Sequence, residues 1–271
     1  MEKNVKVLVL RTAGTNCDGE TANAFAHFGA TVERVHIKRL RNREVLLKDY
    51  HILAIPGGFT YGDDIESGRI LANELRIHLG DDLAQFINDK KLIVGICNGF
   101  QILVKAGILP GNLDKGQAAA AAGFKQTVTL TNNDSGKFED RWSYLKVSGE
   151  SVWTKNLPKV VYFPVAHAEG KFVPSDNAVL EALKHNQQVA FTYCSSEGNA
   201  PVYPEAPNGS IEHIAGITDV TGRILGLMPH PERHFYFENS PGWNGQTKKG
   251  LLGDGAQVFK NGIEYIKGNL L

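Results

Sequence analysis

A cysteine between two glycines is the first feature of this sequence that could do chemistry. Cys97 follows the apolar run "KLIVGI", and Gly95 and Gly99 stand two positions before and after it. Small residues at these positions are typical of a nucleophile elbow, a tight strand-to-helix turn where backbones pass closely. The pattern alone leaves a buried, unreactive cysteine as an equal alternative, because cysteine is among the most buried residue types.

The segment after Cys97 would give a nucleophile the surroundings that it needs. "NGFQILVKAG" is predicted to be a helix whose free N–H groups and positive end face the sulfur, which favours a thiolate. The backbone amide of Asn98 could face a developing oxyanion. Gln101 lies one helical turn from Cys97 on the same face, so its side chain could hydrogen-bond a substrate.

A thiolate nucleophile needs a base, and the sequence offers two His-x-Glu pairs. His230 and Glu232 follow an apolar strand in "GLMPHPERH", where Pro231 pushes His230 toward extended geometry. In an extended segment, residues two apart project to the same side, so the imidazole and the carboxylate would be neighbours. His167 and Glu169 in "VAHAEGKF" form a second such pair. Geometry alone does not rank the two pairs.

A second oxyanion donor should come from a neighbouring loop at a strand end. In "AIPGGFTYGDD" two glycines follow a buried strand, and the backbone amide of Gly58 is the natural donor. An ordinary Pro-Gly turn is the alternative interpretation. The functional one is favoured, because the pattern puts this loop at the carboxyl edge of a parallel sheet, where ligands bind.

The elements that must position these residues alternate in the first part of the chain. Strands separated by helices of this length predict right-handed crossovers and a mostly parallel sheet with helices on both faces. The predicted strands cover residues 5–10, 31–37, 50–58 and 91–96, and the predicted helices cover 19–29, 67–89 and 98–107.

The later part of the chain is richer in strands, and its turns carry Pro, Gly, Asn and Asp. We expect additional sheet there with some antiparallel pairing, followed by a terminal helix that Asp254 could cap. The segment 234–255 is interpreted as an extended loop, and no chemistry is assigned to the alanine run 118–122. The predicted strands are 124–132, 143–148, 160–167, 188–194, 213–219 and 223–230.

Composition excludes several classes of function. The 271 residues contain 29 basic and 29 acidic side chains, so no general attraction to nucleic acid or to an acidic membrane is expected. The apolar runs are far shorter than a membrane span needs. Three cysteines, an odd number, argue against a disulfide framework and favour a reducing, cytoplasmic compartment. Cys17 and Cys194 lack paired flanking glycines and are weak candidates for a catalytic thiol.

Three motifs together resemble the class I, or triad, glutamine amidotransferases. "PGGF", "GICNGFQIL" and "MPHPE" occur in that order with plausible separations. The resemblance implies a flavodoxin-like α/β fold spanning 1–271 as a single domain. It also implies that Cys97 attacks the glutamine side-chain amide to form a γ-glutamyl thioester. His230 would shuttle the proton, and Glu232 would orient the imidazole of His230.

The same resemblance implies roles for three residues beside the triad. The amides of Gly58 and Asn98 would hold the oxyanion, and Gln101 would contact the glutamine. It also favours His230 over His167 as the base. No metal or cofactor is expected in this chain.

A closer resemblance is to the glutaminase-subunit family of phosphoribosylformylglycinamidine synthase. It extends from about residue 11 to 234 and includes "GTNCDGE", "GGFTYGDD", "NNDSGKFEDRW" and "GLMPHPER". The resemblance implies release of ammonia to a separate synthetase subunit, which binds ATP and Mg²⁺ and aminates formylglycinamide ribonucleotide. A small third subunit is expected in the complex.

Other functions stay open at this point. A glutaminase serving another nucleotide or cofactor synthetase would share the same chemistry, and a γ-glutamyl peptidase would use a related fold. A catalytically silent scaffold is opposed by the intact Cys97, His230 and Glu232. The chain carries no P-loop, so the energy-consuming step is expected on another chain, and the isolated chain is expected to be nearly idle.

Overall fold

The computed structural model of the chain describes residues 4–113, 123–246 and 249–271. The alanine run 118–122 lies outside the described residues, as do residues 247 and 248 of the extended loop. Within the described part there are eleven strands and six α-helices, with short 3₁₀ turns between them.

The bounds of these elements follow chain order. The strands are β1 (Lys6–Arg11), β2 (Thr31–His36), β3 (Ile52–Ile55), β4 (Leu92–Ile96), β5 (Val128–Thr131), β6 (Glu139–Val147), β7 (Val160–His167), β8 (Lys171–Pro174), β9 (Val189–Cys194), β10 (Ile214–Thr218) and β11 (Ile224–Leu227). The helices are α1 (Asp18–His27), α2 (Ile37–Arg41), α3 (Arg69–Asn88), α4 (Asn98–Lys105), α5 (Asn177–His185) and α6 (Ala256–Asn269).

A nine-stranded sheet forms the centre of the described residues. Its order is β2-β1-β3-β4-β11-β10-β9-β6-β7, and the first five strands run parallel. That parallel part has the 2-1-3-4-5 order of flavodoxin-like folds. β3, β4 and β11 are buried along their whole length, as expected of strands covered on both faces. The expected mostly parallel α/β fold is confirmed.

The chain direction places helices on opposite faces of this sheet. The connection from β1 through α1 leads to β2, at the edge of the sheet. The connection from β3 through α3 leads the other way, to β4 and toward β11. Right-handed crossovers that move in opposite directions put their helices on opposite faces. Consistently, α1 contacts α6, and α3 contacts α4.

Antiparallel strands extend the sheet on one side, as the turn-rich later sequence predicts. β10 pairs antiparallel with β11 and β9, and β6 lies between β9 and β7. β5 pairs with β8 in a separate two-stranded sheet. β7 ends at His167, and the segment that follows it reaches α4, because the Glu169 carbonyl accepts a hydrogen bond from Gln101 Nε2 at 2.7 Å.

Some local expectations are wrong. Asp254 does not cap α6: the helix begins at Ala256 without a side-chain cap, and a carboxylate oxygen of Asp254 accepts a hydrogen bond from the Tyr162 amide at 3.2 Å. The sequence analysis also missed α5, where Asp176 caps the helix by accepting from the Val179 amide at 2.9 Å. Among the described residues, no helix is both long and apolar enough to cross a membrane.

Candidate active site

Three neighbouring parallel strands end at one edge of the sheet, and each is followed by a predicted site residue. β3, β4 and β11 are adjacent, with β4 in the middle. Gly58 follows β3, Cys97 follows β4, and His230 follows β11. The sheet therefore brings together residues that are up to 172 positions apart, at the edge where α/β folds bind ligands.

Cys97 stands on a turn that only its glycine neighbours allow. Its backbone has φ 52° and ψ −107°, outside the regions that L-residues prefer, and α4 begins at the next residue. A Cβ at Gly99 would lie 1.8 Å from the carbonyl oxygen of Ile55, and one at Gly95 would lie 2.6 Å from the Gly99 oxygen. The tight approach of β3, β4 and α4 thus explains both glycines.

The sulfur of Cys97 lies at the start of α4 in a buried position. Its Sγ is 3.7 Å from the carbonyl oxygen of Ala166, on β7. The first amides of α4 have no carbonyl partner within the helix, so the helix start can stabilise negative charge on the sulfur or on a bound oxyanion.

His230 and Glu232 form a buried hydrogen-bonded pair. His230 Nδ1 lies 2.6 Å from Glu232 Oε1, and the His230 amide donates to the Pro164 carbonyl at 2.8 Å. Because the carboxylate accepts from Nδ1, the Nε2 atom is left for another partner. It has none among the described residues.

The charge of its neighbours makes His230 basic despite its burial. Burial by itself lowers the pKa of His230, but the negative charges of Glu232 and Cys97 outweigh it and hold that pKa well above its usual value. A thiolate on Cys97 and an imidazolium on His230 therefore stabilise each other.

The second His-x-Glu pair is arranged differently. His167 Nδ1 lies 3.2 Å from Asn133 Oδ1. The side-chain nitrogen Nδ2 of Asn133 donates to two carbonyls, so the atom that faces His167 is the oxygen, and His167 Nδ1 donates to it. Burial, with His230 nearby, lowers the pKa of His167 to about 3. Glu169 instead accepts from the Ser67 amide at 3.3 Å. His167 thus lacks the orienting carboxylate that His230 has.

Gly58 lies in a loop that is held by the loop after β1. A Cβ at Gly58 would lie 2.6 Å from the Gly14 oxygen, and the Phe59 amide donates to that oxygen at 2.8 Å. Gly58 itself has φ 148°, which a side chain rarely tolerates. The backbone of "PGGF" is therefore fixed in place beside Cys97.

Asn98 and Gln101 bind other parts of the protein. Asn98 Nδ2 donates to Gln101 Oε1 at 2.9 Å, and Gln101 Nε2 donates to the Glu169 carbonyl at 2.7 Å. Asn98 Oδ1 accepts from the Thr60 amide at 3.3 Å. These bonds connect the start of α4 to the loop after β3 and to the segment after β7. A direct contact of Gln101 with glutamine stays a prediction, and the amide retains one N–H and one lone pair for it.

Cys17 is a buried residue of the site that the sequence analysis undervalued. Its Sγ lies 3.9 Å from His230 Nδ1 and accepts from Arg233 Nη2 at 3.2 Å. The sequence feature that could have indicated Cys17 is its position just after β1, because β1 lies beside β3 in the sheet. Sγ, His230 and Glu232 offer three metal-ligand atoms within 4.8 Å of one another. The guanidinium in contact with the sulfur opposes a metal cation there.

The arrangement can perform acyl transfer through a cysteine. It provides a sulfur on a strained turn, a basic imidazole with an orienting carboxylate, and backbone amides at a helix start. These are the parts that nucleophilic attack on a carbonyl and stabilisation of the oxyanion require.

Comparison with known protein families matches residues 4–266 to the model of the CobB/CobQ-like glutamine amidotransferase domain. Curated relatives cover nearly the same length. The chain is 45% identical to the phosphoribosylformylglycinamidine synthase subunit PurQ of Dehalococcoides mccartyi, covering 97% of this chain and 98% of the relative. It is 42% identical to the protein of that name from Methanococcus maripaludis, over 96% and 97% of the two chains.

Solved structures also resemble this chain. One chain of the PurLQS structure from Thermotoga maritima matches with a TM-score of 0.72 and 29% identity, covering 97% of this chain and 100% of that one. A glutamine amidotransferase from Thermotoga maritima matches with a TM-score of 0.51 and 16% identity, over 99% and 85% of the two chains. The second likeness shows the fold alone.

Proposed function

We propose a mechanism for this chain from the premise that it belongs to the PurQ family of phosphoribosylformylglycinamidine synthase subunits. It is a glutamine amidotransferase that acts with a synthetase partner in the synthesis of formylglycinamidine ribonucleotide in purine biosynthesis.

Cys97 is the nucleophile of the proposed reaction, and L-glutamine is the substrate. The thiolate adds to the side-chain amide carbon, and the carbonyl electron pair moves to the oxygen. The amides of Gly58 and Asn98 stabilise this oxyanion, as backbone donors do in acyl transfer generally. Gln101 contacts the bound glutamine from the same helix face.

His230 moves the proton in both halves of the reaction. As an imidazolium it protonates the amide nitrogen while the C–N bond breaks, which releases ammonia and leaves a γ-glutamyl thioester on Cys97. Neutral His230 then takes a proton from water, which adds to the thioester, and the C–S bond breaks to give glutamate and the thiolate. Glu232 holds the imidazole through Nδ1, 2.6 Å away.

Ammonia is delivered to the partner subunit in this proposal. The partner binds ATP and Mg²⁺ and aminates formylglycinamide ribonucleotide, and a small third subunit completes the complex. Support comes from the chain itself, which has no P-loop motif for ATP.

The observation that carries the proposal is the strained turn of Cys97 at the end of β4, beside β11 and its His230–Glu232 pair. Replacing the sulfur tests it. In the reconstituted complex, Cys97→Ala should reduce glutamine-dependent amination by about 10³-fold or more, because no covalent path remains. Amination from added ammonium should be retained.

Cys194→Ala is the matched control, since Cys194 is another buried, free cysteine. It should leave both rates near those of the unsubstituted complex. Loss of ammonia-dependent amination in Cys97→Ala would mean that Cys97 serves assembly or folding and would overturn the assignment.

A further inference from the structure

Cys17 Sγ lies beside His230 Nδ1 and accepts a hydrogen bond from Arg233. The proposed reaction uses neither Cys17 nor Arg233. Cys17 is the residue before α1 and is about 1% exposed. We propose that Cys17 and Arg233 are a positioning pair: the sulfur seats the His230 ring against Glu232 and holds the Arg233 guanidinium off the Glu232 carboxylate. This inference rests on the proposed function of His230.

The seat of the imidazole is formed by the sulfur and one glycine. A Cβ at Gly57 would lie 2.7 Å from His230 Cε1 and 3.2 Å from Cys17 Sγ, so ring and sulfur both press against this backbone. The Gly57 carbonyl accepts from the amides of Asn16 and Cys17 at 3.3 and 3.2 Å. Cys17 is therefore fixed to the same loop that carries Gly58, and its contact with His230 sets the base relative to that loop.

Arg233 would otherwise be a competitor for the carboxylate. It adjoins Glu232 in the 3₁₀ turn Pro231–His234, and arginine is the residue that pairs best with carboxylates. Glu232 Oε2 has no hydrogen-bond partner among the described residues, whereas Arg233 Nη2 donates to Cys17 Sγ at 3.2 Å. The sulfur therefore keeps the guanidinium occupied and the carboxylate available to the imidazole.

A guanidinium on Glu232 would weaken the base, because a neutralised carboxylate attracts an imidazolium less. Cys17 also contributes directly. Burial lowers the pKa of His230, and the charges of Glu232 and Cys97 together with the contact to Cys17 raise it. The titratable and charged groups around the ring are Glu232 and Arg233 on its own turn, Cys97 at the end of β4, Cys17 after β1, and His167 at the end of β7.

Alkylation of Cys97 by iodoacetamide tests the pair in the isolated chain. The rate reports the thiolate and hence the imidazolium beside it, and peptide mass spectrometry separates Cys97 from Cys17 and Cys194. In Cys17→Ala the alkylation rate of Cys97 at pH 6.5 should fall about 3-fold or more, and the profile of rate against pH should move to higher pH. Cys17→Ser, which keeps an acceptor for Arg233, should show a smaller shift.

Arg233 is tested by the same readout. Arg233→Lys keeps a donor for the sulfur and should stay close to the unsubstituted profile. Arg233→Met removes the competitor for Glu232, so adding it to Cys17→Ala should return the profile toward that of the unsubstituted chain. Cys194→Ala should leave the profile unchanged. A role in folding alone would reduce the amount of native protein without moving the pH profile, and this outcome in both Cys17 variants would overturn the proposal.

The complex provides a second measurement. Cys17→Ala should lower kcat for glutamine-dependent amination about 10-fold, the scale of a misplaced general base, with the KM for glutamine unchanged. Ammonia-dependent amination should be unaffected. A raised KM at unchanged kcat would contradict a positioning role. If Cys97→Ala keeps glutamine-dependent amination in the complex, the proposed function fails. If Cys97→Ala loses that activity but the alkylation rate and the pH profile of Cys97 are the same with and without Cys17, only the positioning pair fails.

Discussion

Cys97 shows how a single residue is made reactive by its backbone. A conformation of φ 52° and ψ −107° costs a non-glycine residue about 1–3 kcal/mol. The turn persists because β4 and α4 are both fixed by the core, with Gly95 and Gly99 at the points of closest approach. The strain directs the sulfur to the sheet edge, where His230 can reach it.

His167 predicts an acid-sensitive stability. Burial lowers its pKa in the folded chain to about 3, while an unfolded histidine titrates near 6.5. Between these values the unfolded state binds a proton that the native state does not, so stability falls as the pH falls. The expected contribution is up to about 1.4 kcal/mol per pH unit.

His167→Asn tests this contribution. Asparagine keeps a donor for Asn133 but does not titrate, so stability from urea unfolding at pH 7, 6 and 5 should fall less steeply than in the unsubstituted chain. His78→Asn, at an exposed position of α3, is the control and should keep the original slope. An unchanged slope in His167→Asn would refute His167 as the source of the acid sensitivity.

Sequence patterns of short range predicted most of the candidate site. Gly95, Cys97 and Gly99 lie within five positions, and His230 and Glu232 within three. The hydrogen bond from Gln101 to the Glu169 carbonyl could not be predicted from the sequence, because the two residues are 68 positions apart. Cys17 was missed for a similar reason: its importance arises from Arg233 and His230, which only the strand order brings near.

At the scale of elements, a buried lysine joins α4 to two loops of the site. Lys105 Nζ donates to the Ser67 carbonyl at 2.8 Å and lies 3.7 Å from carboxylate oxygens of Glu66 and Glu169. Its side chain is only 1% exposed. The lysine therefore holds the loop before α3 and the loop after β7 against the helix that begins at Cys97.

Lys105→Met should destabilise the chain. The methionine keeps most of the apolar stem, but the Ser67 carbonyl loses its donor, and the Glu66 and Glu169 carboxylates lose a positive charge 3.7 Å away. Leaving buried polar groups unpaired costs about 1–3 kcal/mol. We expect a lower midpoint of urea unfolding.

Lys260→Met provides the matched control on α6. Lys260 pairs with Glu264 one turn away and is 46% exposed. Exposed pairs contribute little, so a change within about 0.5 kcal/mol is expected. Equal midpoints for the two variants would show that the Lys105 cluster does not hold the loops.

The elements themselves were predictable where their periodicity was strong. β1, β3, β4 and β11 are short apolar runs ended by turn residues, and α3 and α4 fall within the predicted spans. The separate pairing of β5 with β8 was not predictable, because an antiparallel partner 40 residues away leaves no local pattern. Asp254 failed as a cap because a backbone amide of β7 binds its carboxylate.

The whole molecule carries out the first half of a reaction, the release of ammonia from glutamine, and a second chain uses that ammonia. The nine-stranded sheet carries the candidate glutamine site at one edge, and the sequence contains no P-loop. Glutamine hydrolysis without a waiting acceptor would waste the substrate. Control of such a site by a partner requires that partner binding and reactivity be coupled in free energy.

The isolated chain should therefore hydrolyse glutamine slowly, and its synthetase partner should accelerate it. Coupling between sites usually amounts to about 5–150-fold. Glutamate release would be measured for the chain alone, with the partner, and with the partner plus formylglycinamide ribonucleotide and ATP. Adding the partner to Cys97→Ala sets the background, because that variant lacks the nucleophile. If the isolated chain hydrolyses glutamine as fast as the full complex, the site is complete without its partner and the coupling does not exist.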